Sequence, residues 1–102
     1  MKTKILLATV LVGLLASQGV ASVAKGQKLF SKKLKKPCEM SGAKVSLKHT
    51  QDQWENLYNS KKLKDEIKVI CPKVEYINEK YLPHLYEFFY EYASDSGNVP
   101  SC

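Results

Sequence analysis

Arginine is missing: all 16 basic residues of the 102 are lysine. Lysine lacks the planar fork that grips a phosphate or a base edge from two sides, so a nucleic-acid reader is not expected. Histidine and cysteine are scarce, at two and three residues, which leaves little material for metal or redox chemistry. A zinc site drawn from Cys38, His49, Cys71 and His84 would have no tight ligand pair such as Cys-x-x-Cys. No nucleophile–base–acid constellation is visible, so the chain is not expected to be an enzyme. Internal repeats, low-complexity runs and convincing strand patterns are absent too. A length of 102 residues excludes a multidomain machine. With 44% hydrophobic and 25% charged residues, the composition is that of a folded globular chain.

Present at the start is an address. Lys2 and Lys4 precede an apolar run from Ile5 to Val12, continued by Gly13 to Ala16, and a small-residue stretch runs from Ser17 to Ala24. This is the order of a secretory signal peptide, with cleavage expected after Ala21 or Ala24. An uncleaved anchor is the rival reading, since Ile5 to Ala24 is nearly long enough to span a bilayer. With cleavage after Ala24, residues 1–24 are the signal and residues 25–102 the domain, working in an oxidising compartment, the periplasm of a bacterium. That mature chain has 14 lysines against 10 acids. At this size a covalent staple is usual.

Four helical stretches are expected. The first runs from Lys25 to Lys36, with Gly26, Leu29, Phe30 and Leu34 on one face, and Pro37 ends it. A glycine-containing loop from Cys38 to His49 follows. Thr50 and Gln53 form a capping box for a second helix, whose apolar face is Trp54, Leu57 and Tyr58. Ser60 is expected to cap a third, from Lys61 to about Ile70, stopped by Pro72. The last runs from Leu82 or Pro83 to Ala93 and carries Tyr86, Phe88, Phe89, Tyr90 and Tyr92, so it should be the central core helix. Gly26 should let the first helix approach the last closely, with Phe30 and Leu34 meeting Leu85, Tyr86 or Phe89. Charge is divided unevenly: residues 25–48 hold eight lysines and one acid, residues 75–95 five acids and one lysine.

In "KGQKLF" a glycine and an aromatic stand four residues apart on the first helix, "HTQDQWENLY" opens a middle helix, and "KYLPHLYEFFYEYAS" closes the chain. In this order the chain resembles a class I cytochrome c domain over essentially its whole mature length. The nearest group is small exported cytochrome c-like proteins with an altered haem motif. The resemblance implies a small all-α, cytochrome c-like domain of three to four helices with a C-terminal aromatic-rich helix.

It also implies haem c and electron transfer, and there the sequence departs from the family. Where the family has Cys-x-x-Cys-His, "CEMSG" places Cys38 on the first thiol, Ser41 on the second and Gly42 on the histidine. Phe30 lies eight residues before Cys38 rather than the family's usual four, an added helical turn. A single haem thioether would fall on Cys38, with His49, His84 and Met40 the candidate axial ligands, and Cys71 and Cys102 left to form a disulfide. Without haem, three cysteine pairings are open.

Two functions are therefore expected from this sequence. One is a periplasmic electron-transfer relative with haem bound abnormally or lost. Its lysine-rich first helix would dock an acidic redox partner protein or an anionic membrane surface. The other is a haem-free binding module on the same scaffold. A monomer is expected in either case.

Overall fold

The structure is a computed structural model that describes residues 22–100. The expected signal segment up to Ala21, and Cys102, lie outside the described residues. Among the described residues the chain is all helix, turn and loop. We label the helices α1 (22–38), α2 (Gly42–Ser46), α3 (Gln51–Asn59), α4 (Leu63–Ile70) and α5 (Leu82–Glu91), the last entered through a 3₁₀ turn at Glu79–Tyr81. The small all-α domain with an aromatic C-terminal helix is what the sequence led one to expect. The helix α2 is an addition, because it forms inside the expected loop.

α1 is not uniform. Residues Phe30–Leu34 are π-helical, between α-helical turns at 22–29 and Lys35–Cys38. The buried positions explain this: Gly26, Phe30, Leu34 and Cys38 recur every four residues. An α-helix turns once per 3.6 residues, so three such steps would carry the buried face about 120° around the axis. The wider π turn removes that drift and keeps all four on one line.

Pro37 does not end the helix at Lys36, as expected; α1 continues to Cys38 and stops at Glu39, which takes a left-handed conformation (φ 61°). A proline ring presses on the carbonyl four residues back. Here that carbonyl belongs to Lys33, inside the π stretch where the regular bonding ladder is already open.

α5 is the element the others grip. A Cβ on Gly26 would lie 2.0 Å from the His84 carbonyl oxygen and 2.9 Å from Phe88 Cβ, so α1 and α5 touch backbone to backbone. Phe30 packs edge-on against Phe89 (6.1 Å), as the sequence suggested, and tilted against Phe88 (6.4 Å). The first residue of α2 is again glycine, and a Cβ there would meet the Phe88 ring at 2.6 Å. On the far side α3 lays Trp54 on Phe89 (4.6 Å) and Tyr58 on Tyr86 (4.4 Å, planes 4° apart). Phe30, Trp54, Phe88 and Phe89 are all fully buried, each contributing about 1.5–3 kcal/mol by leaving water.

Local signals place the ends of the other helices. Thr50 Oγ1 accepts from Gln53 N–H while the Gln53 side chain accepts from Thr50 N–H, the expected capping box. Ser60, expected to start α4, instead finishes α3: its hydroxyl donates to the Asn56 carbonyl (2.7 Å). Lys61 then turns left-handed (φ 62°), and Lys61 and Lys62 N–H return to the Tyr58 and Leu57 carbonyls. That is a Schellman closure with lysine where glycine is usual. α4 consequently starts at Leu63, burying Leu63 and Ile67 before Pro72 stops it.

Candidate functional site

The loop after α1 is where the sequence concentrated its candidate chemistry. Cys38, the last residue of α1, is bonded to Cys71, just past α4, with the Cα atoms 4.5 Å apart. Both cysteines are buried. This is one of the three pairings open without haem, and it replaces the conditional pairing of Cys71 with Cys102. A sulfur shared with Cys71 is not a thiol that can add to a haem vinyl group.

The other candidates are committed elsewhere. Ser41, where the resemblance would put the second thiol, caps α2 by accepting from Lys44 N–H (3.2 Å). Gly42, where it would put the histidine, leaves room for the Phe88 ring. Met40 is half-buried against the core. His49 Nε2 pairs with Glu66 Oε2 at 2.6 Å, and its ring stands edge-on to Trp54 at 4.8 Å. His84, in the first turn of α5, accepts or donates at Nδ1 to Ser22 Oγ at 2.7 Å. Burial, and then the nearby Lys25 charge, hold the His84 imidazolium below its ordinary range. The two histidines sit at opposite ends of α5, because the His49 carbonyl receives Ser94 N–H just beyond that helix. Cys38, Met40 and Cys71 come together; His49 and His84 do not join them. This arrangement does not fit a covalently held haem: Cys38 is bonded to Cys71 and offers no thiol, no histidine stands in "CEMSG", and aromatic rings fill the core beside it.

Two contacts were not read from the sequence. Glu66 as the partner of His49 and Ser22 as the partner of His84 depend on tertiary placement, 17 and 62 residues away. No family model, no curated protein and no solved structure matches this chain.

Clefts among the described residues include two at the surface. The larger, about 660 Å³, lies between the α3–α4 turn and the start of α5 and is bordered by Tyr58, Leu63, Lys64, Glu79, Leu82 and Pro83. Lys64 Nζ and Glu79 Oε2 close its rim at 2.6 Å, and that hydrogen bond raises the Lys64 pKa. The smaller, about 420 Å³, lies at the C-terminal end of α1, lined by Ser31, Lys35, Lys36, Glu39, Met40 and Ser41.

Positive charge gathers on α1. Between residues 22 and 38 there are six lysines and no acid. Lys25, Lys28, Lys32, Lys33, Lys35 and Lys36 are all exposed, and none has an ion-pair partner among the described residues. On α5, burial and then the Glu91 charge push the Glu87 carboxyl up. Burial, followed by Glu55 and Glu87, pushes the Tyr86 phenol up to about 12.

Proposed function

We propose that this chain is an exported, haem-free interaction module on a cytochrome c-like helical scaffold. It has set aside electron transfer and works through its surface. The observation that carries the reading is the Cys38–Cys71 disulfide. In the family it resembles, the loop after the first helix is held by covalent haem; here the same loop is tied to the end of α4 by sulfur. The stabilising role of a cofactor passes to a cross-link, which suits a small domain in an oxidising compartment. Further support comes from His49 and His84, each engaged by a neighbouring side chain. The working face is the cationic side of α1.

The test is expression with a cytochrome c maturation system in the periplasm, followed by an absorption spectrum and intact mass. The expected product is colourless and lighter by two hydrogens than the fully reduced chain. A haem band that survives denaturation and disappears in Cys38→Ser would overturn the reading in favour of a one-thioether cytochrome.

A further inference from the structure

The π stretch that keeps the core of α1 in line has a consequence on the opposite side. With buried residues at 26, 30, 34 and 38, positions two residues later lie half a turn away. Three of these are Lys28, Lys32 and Lys36. They form a straight row along the outer edge of α1, with a rise of about 6 Å between charges, flanked by Lys25, Lys33 and Lys35. In an uninterrupted α-helix the same three lysines would spiral away from one another. The row ends at the smaller cleft, into which Lys35 and Lys36 both face together with Ser31, Met40 and Ser41. Glu39, the acid on its rim, is engaged by Lys73.

We propose that the outer face of α1 binds a linear acidic polysaccharide, with its carboxylate or sulfate groups along Lys28, Lys32 and Lys36 and one sugar unit seated in the cleft. This rests on reading the domain as an interaction module and names its partner. A single row of evenly spaced charges matches a chain with one anionic group per repeat. Ammonium groups without a guanidinium fork offer attraction rather than bidentate recognition. The Ser31 and Ser41 hydroxyls and the Met40 side chain give a sugar ring polar and apolar contacts. A specific acidic protein would need buried aromatic or aliphatic anchors, yet the large exposed apolar residues, Leu47, Val69, Tyr76 and Val99, all lie off α1. A flat bilayer surface would meet the row but not enter the cleft.

The test is calorimetric titration of the oxidised protein with a hexamer of mannuronate, neutral dextran and phosphatidylglycerol vesicles. The expected result is binding to the mannuronate alone, with the logarithm of the binding constant falling linearly with the logarithm of salt concentration. Lys28→Gln/Lys32→Gln/Lys36→Gln should weaken it about tenfold or more, since three contacts of the salt-dependent kind are lost. The control Lys48→Gln/Lys62→Gln/Lys80→Gln removes the same charge from exposed sites elsewhere and should weaken it less than about threefold. Ser31→Ala should cost about two- to tenfold, the worth of one hydrogen bond, with an unchanged melting curve. Equal losses in the two triple variants, or binding to the vesicles but not to the mannuronate, would overturn the proposal. A colourless protein that ignores mannuronate sinks this proposal alone, whereas a haem-loaded protein sinks the reading above whatever it binds.

Discussion

α5 is held on two sides by opposite means. On the α1 side the contact is made by the lack of a side chain: Gly26 brings backbone against the His84 carbonyl. On the α3 side it is made by the largest side chains, Trp54 against Phe89 and Tyr58 against Tyr86. The glycine contact tolerates nothing larger, because the obstacle is backbone and cannot rotate away. The ring contact is broader and shares its burial among several residues. One side is narrow and specific, the other wide and redundant.

Truncation and overfilling should separate the two. Phe30→Ala empties a fully buried site where α1 meets both Phe88 and Phe89 and should cost about 3–5 kcal/mol in chemical denaturation. A melt matching the parent would mean that the core is wrongly placed. Removing the cross-link by Cys38→Ser/Cys71→Ser frees a loop spanning 33 residues, a loss of about 3–4 kcal/mol in the chain-entropy account. Gly26→Ala should cost about 3 kcal/mol by prising α1 from α5, while Tyr58→Leu on the redundant side should cost less than about 1.5 kcal/mol. If the order of those two is reversed, the contrast between the sides fails. Thr50→Ala, which removes the α3 cap, should cost about 1 kcal/mol.

The smallest effect is a matter of pH on α5. The folded state raises the Glu87 pKa above its ordinary 4.5, through burial and Glu91. Such a group supports folding only while protonated: its contribution is complete below 4.5 and lost as pH rises through the folded value. Glu87→Gln should therefore raise the melting temperature at neutral pH and leave it unchanged in acid below 4.5. His84 has the opposite sign. Its pKa is lowered from 6.5, so its contribution is present above 6.5 and is lost as pH falls through the folded value.

The sequence disclosed contacts whose partners are close in the chain or set by a period. The four-residue spacing of Gly26 and Phe30, the Thr50–Gln53 box and the aromatic crowding of residues 81–92 are such signals, and each has its structural counterpart. The helix α2 is not legible in the sequence, because five residues carry no period and its stabilising contact is a glycine against Phe88. Ser60 is ambiguous in the sequence, because a hydroxyl between two helices suits either end, and the left-handed Lys61 decides it for α3. The cysteine partner, and the carboxylate on His49, depend on which distant elements meet, which no local pattern encodes. The π turn had a signal after all: four positions repeating at strict fours, in a helix whose natural step is shorter.

That turn fixes how the chain can change length. A π turn holds one residue more than an α turn, so a one-residue deletion between Phe30 and Leu34 would return α1 to ordinary winding and leave the facing of everything after it nearly unchanged. Cys38 would still face Cys71, and Lys36 would stay close to the line of Lys28 and Lys32. A deletion in the α-helical turn before Phe30 meets no such slack: it would swing the residues beyond it by about 100° and strike the inside and the outside of the molecule at once. The π stretch is thus where α1 can shed a residue and keep both its cross-link and its cationic row.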